Sequence, residues 1–259
     1  QDPLPLYLTT IADGNERAWR LLTSGRAGLP EYQYACDYLS IAMPLLGNPD
    51  PVELPLREGG YLLERAGDDE LDELIEFWHQ YGRSREFFPA YRAADFQDDG
   101  MMRGLRPTDV LVARSDGQMV GTIATWDQMS FRQSIVQGYG CSLGRLRPLV
   151  NAWSTLRNRA SLPEVGQSLS MLFAAVPVVS SEHLDCFPIL LRTAKRLCSG
   201  GGHSHVVLGM SEHDPLLAVL PRRIGTVYRT RLCFVRWSAE PISIAISHQR
   251  PPYLELGSL

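Results

Sequence analysis

The chain has 259 residues, 44% of them hydrophobic, with a formal net charge of -4 and an isoelectric point near 5.9. That apolar content supports a buried core without disulfide or metal staples. The weak negative charge excludes bulk attraction to nucleic acid or to an anionic membrane, and no apolar run is long enough to span a bilayer.

Cys36, Cys141, Cys186, Cys198 and Cys233 are odd in number, widely spread and free of CxxC spacing. This pattern predicts a reduced, cytoplasmic protein. Cationic residues are almost all arginine; Lys195 is the single lysine.

Leu4 to Ile11 reads as a buried strand, followed by helix-cap residues Asp13 and Asn15 and an apolar face of Ala18, Trp19, Leu21 and Leu22. Gly25, Gly28 and Pro30 end that helix, and Tyr32 to Leu46 is aromatic and β-branched enough for one or two strands. Gly47 to Gly60 is rich in Pro and Gly and reads as a linker. A strand over Tyr61 to Arg65 precedes a helix capped by Asp68 and Asp69, with Leu71, Leu74, Ile75 and Trp78 on one face. A weaker helix is expected over Tyr91 to Leu105.

The run VLVARSDGQMVGTIATW is a hairpin turning at Asp116-Gly117. Residues 127–167 read as an insertion with helical stretches. There Arg145, Arg147, Arg157 and Arg159 with Trp153 form a basic patch, either an anion holder or a solvated face. Leu169 to Val179 is a nearly continuous apolar run, as in a central strand buried on both faces. A helix over Asp185 to Leu197, a strand over Val206 to Met210 and a closing helix and strand follow. The opening strand–helix–strand is echoed from Gly202 onward, and the chain begins at Gln1 rather than Met. The expected organisation is residues 1–46 as the C-terminal part of a first α/β unit, 47–59 as linker, 60–240 as a second unit with its insertion, and 241–259 as tail.

This order of elements resembles the GCN5-related N-acetyltransferase (GNAT) superfamily. The hairpin resembles the family's V-A-x-x-x-G-x-x-V-G step, and SLSMLFAAVPVVSSEHLDCFPILLRTAKRL resembles its central strand and following helix. The opening TTIADGNERAWRLL resembles the family's Asn-containing step, and the insertion WDQMSFRQSIVQGYG resembles that of bacterial proteins with two such units in tandem. The resemblance implies an α/β fold with a mixed central sheet flanked by helices. It also implies acetyl-CoA or another acyl-CoA as co-substrate, with a small-molecule or peptide amine as acceptor.

On the same resemblance, Val176, Val178, Ser180, Ser181 and His183 would line the cofactor, with Asn15 either beside a cofactor or simply a helix cap. Asp127 and Glu182 are candidate bases and Tyr228 a candidate acid, each also readable as a structural residue. The family's glycine-rich pyrophosphate loop corresponds here to SSEHLDCF, which has neither glycine nor arginine and adds Glu182 and Asp185. The resemblance thus implies a tandem N-acyltransferase with catalysis mainly in the incomplete first unit, the second unit shaping the substrate cleft or mediating a homodimer; a catalytically degenerate binding or interaction module is the alternative. Cys186 beside His183 has the types needed for a thiol nucleophile, or is a small buried hydrophobe. His203, His205 and His213 lack the carboxylate or cysteine pattern that would complete a metal site, so no metal is expected.

Overall fold

In the computed structural model, residues 6–26, 28–45, 52–138, 147–148, 151–152, 155, 163–237 and 250–258 are described. The elements are β1 (Tyr7–Ala12), α1 (Glu16–Leu22), β2 (Glu31–Pro44), β3 (Leu56–Glu58), β4 (Tyr61–Arg65), α2 (Leu71–Gly82), β5 (Val110–Ser115), β6 (Gln118–Asp127), β7 (Met171–Val179), α3 (Cys186–Cys198), β8 (His205–Ser211), α4 (Pro215–Ala218) and β9 (Thr226–Arg236). The strands make one mixed sheet in the order β1-β9-β2-β8-β7-β6-β5-β4-β3. Only β7 and β8 run parallel among these neighbours.

The β5–β6 hairpin turns where expected. Asp116 and Gly117 both take positive φ, 48° and 80°, the backbone that a two-residue turn with right-handed strand twist requires. Alternation along β5 then assigns faces. Leu111 and Ala113 join the core under α3, while Val110 and Val112 join the core under α2. α2 buries Leu74, Phe77 and Trp78, and burial of a side chain such as Leu74 or Phe77 stabilises by roughly 1.5–3 kcal/mol. Trp78 also donates from Nε1 to Thr122 Oγ1 at 3.0 Å, tying the helix to the middle of β6. On the other face α3 comes so close that a Cβ on Gly121 would lie 2.8 Å from Cys186 Sγ. Only glycine fits there.

Several expectations change. Asp68 and Asp69 do not cap α2; Glu70 holds the N-cap position, and its side chain makes no cap bond to the helix. Arg114 on β5 draws in Glu64, Glu70 and Glu73 at 2.6–2.9 Å, and Glu70 accepts from Gly67 N. Over 91–105 there is one 3-10 turn, Ala93–Phe96, instead of a helix. Gly104 at φ 79° and the tight approach of Gly100 to the Asp95 carbonyl turn the chain back on itself there.

β1 and β2, from the opening segment, lie in the same sheet as the other described strands. β2 is one 14-residue strand inserted between β8 and β9, and β1 pairs with β9. The span expected as linker ends in a sheet strand, β3. In the tail, Pro251, Pro252, Tyr253, Glu255 and Gly257 are buried. The basic-patch residues Arg145, Arg157, Arg159 and Trp153, with Cys141 and residues 241–249, lie outside the described residues. Arg147 is described, paired with Glu164 at 3.0 Å.

Candidate functional site

β7 and β8 are in register for four pairs, from Met171 opposite His205 to Ala174 opposite Leu208. Beyond them the two strands part. On its other side β7 slips register against β6 between Thr122 and Ala124, and Val176 adopts φ 46°. A β-branched residue in the left-handed region costs on the order of 1–3 kcal/mol and persists only where neighbours over-determine it. They do so here. Thr122 Oγ1 donates to the Val176 carbonyl at 3.2 Å, Arg85 Nη1 donates to the Pro177 carbonyl at 2.9 Å, and the Val176 N–H donates to Glu255 Oε2 at 3.0 Å.

Glu255 arrives from the C-terminal segment. Pro252 bridges to Glu86, and Tyr253 N donates to the Glu86 carbonyl at 2.7 Å, so the segment adds to the loop after α2. Tyr253 Oη donates to Glu255 Oε2 at 2.6 Å, and Tyr38 Oη holds the Leu254 carbonyl at 2.7 Å. Burial raises the Glu255 carboxyl above its ordinary range, opposed by the hydrogen bonds from Tyr253, Val176 and Gly257. Burial and then the Glu255 charge push Tyr253 well upward, so it is a proton donor to the carboxylate and not a phenolate. Arg85 closes the mouth of the split. It pairs with Asp214 at 2.8 Å, both side chains being 5% exposed, and Asp214 also caps α4 through Leu216 N.

The loop after β7 is a single 3-10 turn, Ser181–His183. Buried Ser180 bonds His183 Nδ1 at 2.8 Å, and Asp185 is held by Tyr61 Oη at 2.9 Å. Beside it lies a cavity of about 510 Å³ whose lining includes Glu73, Glu76, Asp116 and Glu182. Glu73 is paired with Arg114, and the other three carboxylates present a negative field to any approaching anion.

Val176, Val178, Ser180, Ser181, Glu182 and His183 therefore gather at the C-terminal end of β7. The other candidates do not join them. Asp127 is opposite Leu172 at the far end of the strand, bonded to Met129 N at 2.9 Å and near His203 Nε2 at 3.5 Å. Tyr228 is 68% exposed on β9, with β2 between it and β8. Asn15 caps α1 by accepting from Ala18 N at 3.2 Å, at the outer edge of the sheet. Asp127 and Tyr228 therefore lie away from the C-terminal end of β7, where Glu182 sits.

Cys186 is no nucleophile. Burial and the neighbouring Asp185 push its thiol up to about 12, and His183 bonds Ser180 instead. His203 bonds Ser170 and His205 bonds Ser204, and no metal-ligating group of three gathers among the described residues. The residues missed in the sequence are Glu255, Tyr253, Arg85 and Asp214. A carboxylate flanked by apolar residues after two prolines, in PPYLELGSL, was the available signal for Glu255.

No family model matches the sequence, and no curated protein is significantly similar to it. Solved structures are similar in shape. A GCN5-related N-acetyltransferase from Sphaerobacter thermophilus superposes with a TM-score of 0.53 at 12% identity, over 97% of this chain and 62% of that one. The chain thus spans less than two thirds of that protein's length. Two further GCN5-related N-acetyltransferases superpose more loosely: from Anabaena variabilis ATCC 29413 (TM-score 0.44, 13% identity, 89% of this chain and 45% of that one) and from Kribbella flavida (0.45, 12%, 89% and 68%). Among the described residues no helix is long and apolar enough to cross a membrane. With its mixed sheet parted between β7 and β8 beside a bulge, the chain has the GCN5-related N-acetyltransferase fold.

Proposed function

We propose that the chain serves N-acyl transfer from an acyl-CoA to an amine, with the acyl group placed in the split between β7 and β8. One observation carries this reading. The bulge turns the Val176 N–H into the split, and a carboxylate oxygen already occupies it. A donor held there by a strained backbone is suited to a thioester carbonyl oxygen and to the oxyanion formed when an amine nitrogen attacks the carbonyl carbon. The C–S bond then breaks and the thiolate leaves, taking up a proton, while the ammonium formed on the acceptor loses one. One N–H serves one strong acceptor, so Glu255 must give way before a thioester can bind.

A second reading has its own support. The Arg85–Asp214 pair and the buried segment around Tyr253 fill the split, and the loop after β7 offers carboxylates where a pyrophosphate would lie. In that reading this sheet is a non-catalytic module that shapes a cleft or joins a second copy.

Titration of acetyl-CoA into 15N-labelled protein separates the two. Acyl transfer at the split predicts saturable binding with a shift of the Val176 amide resonance. It also predicts about tenfold tighter binding by Glu255→Ala, a gain of about 1.4 kcal/mol, once its fold is verified by circular dichroism. Absence of binding in both proteins would sink the catalytic reading of this sheet and leave the second.

A further inference from the structure

A different part of the molecule is open. α4 lasts only four residues, and Pro221 turns the chain away soon after it. Among the described residues no long helix follows β8, and the loop behind α4 borders a pocket of about 390 Å³ against α3. Leu191, Leu220 and Ile224 supply its apolar wall. Lys195, Arg196 and Arg223 line it together with Arg192, and no carboxylate is among its described lining residues. Arg192 is already engaged by Glu58.

Lys195 is the telling residue. It is half-buried, and burial lowers its ammonium pKa. An ammonium stripped of water beside an apolar wall, with no carboxylate in the lining, favours an anion brought from outside. The apolar wall favours a ligand with an apolar body, and the volume falls within the range of small-molecule sites. The pocket is also distinct from the split. It includes Pro44, which pairs with His205 at the start of β8, whereas β7 and β8 part only beyond Leu208.

We propose that this pocket binds an amphiphilic anion, a carboxylate on an unbranched aliphatic chain, with its head at Lys195 and its tail along Leu191, Leu220 and Ile224. The site does not depend on the acyl-transfer reading, because it shares no lining residue with the split.

Calorimetric titration of the full chain with decanoate tests it, with acetate and decyltrimethylammonium as probes of head and body alone. Decanoate is expected to saturate one site, with the other two binding at least about tenfold more weakly. Lys195→Met keeps most of the apolar stem and removes the charge, and is expected to weaken decanoate by about tenfold. Ile224→Asp sets a carboxylate against the ligand from a partly buried position and should weaken it as much. No saturable binding of decanoate, equal binding of the cationic amphiphile, or unchanged affinity in a folded Lys195→Met protein would each overturn the proposal.

Discussion

The two concave regions of this molecule differ in how their polar groups are satisfied. In the split between β7 and β8, the Val176 N–H, the Pro177 carbonyl, Arg85, Asp214 and Glu255 all meet partners from the chain itself. In the pocket beside α3, Lys195 sits against an apolar wall with no carboxylate among the lining residues. Among the described residues, the first region is closed by carboxylates and carbonyls of the chain itself, and the lining of the second holds no carboxylate. A fold-level expectation points to the first as the ligand site, because there the sheet parts. Local chemistry points to the second as the place where a ligand would meet the least competition.

The strongest way to break this comparison is at the seal. Arg85→Met leaves Asp214 buried at 5% exposure with its charge uncompensated. Removing one partner of such a pair costs about 3–5 kcal/mol, whereas removing both often costs little. Urea unfolding of Arg85→Met should show that loss, and Arg85→Met with Asp214→Asn should recover much of it. A loss below about 1 kcal/mol in the single variant would mean that the mouth of the split is already wet, and the contrast with the open pocket would fail.

Glu255 gives a smaller effect with a direction. Its pKa is raised in the folded protein, chiefly by burial. The protonated carboxyl is therefore favoured by folding. Its contribution to stability is fully present below the ordinary carboxylate pKa and is lost as pH rises through the folded value. Glu255→Gln removes the titration while keeping an oxygen that can accept from Val176 N–H. Stability measured across the acid range should fall less with rising pH in this variant than in the parent chain. Identical profiles would show that water reaches the carboxylate and that the segment carrying it is not a seal.

What was legible in the sequence followed local chemistry. Asp116-Gly117 fixed a turn through two positive φ values, and the apolar run ending at Val179 marked a strand covered on both faces. What was hidden depended on distant pairing. Nothing near β2 announces that it will lie between β8 and β9, since its partners are more than 160 residues away. Glu255 meets Val176 across 79 positions, and Arg85 meets Asp214 across 129. Asp127 and Tyr228 had suitable chemistry and unsuitable addresses: Asp127 lies opposite the start of β7, and β2 stands between Tyr228 and β8.

The smallest effect sharpens the comparison from the open side. Burial lowers the pKa of Lys195, so the charged ammonium is disfavoured by folding. A base depressed in this way contributes stability that is present above its unfolded pKa and is lost as pH falls through the folded value. At neutral pH the group is therefore a cost, held beside Leu191 by a stem that packs well. Lys195→Met keeps the stem and removes the cost. In urea unfolding without ligand it should leave stability unchanged or raise it, within about 0.5 kcal/mol of the parent, and should flatten the rise in stability on the alkaline side. A clear loss on substitution would mean that Lys195 already pairs with something in the chain. In that case the pocket beside α3 would be as closed as the split, and the difference between the two regions would disappear.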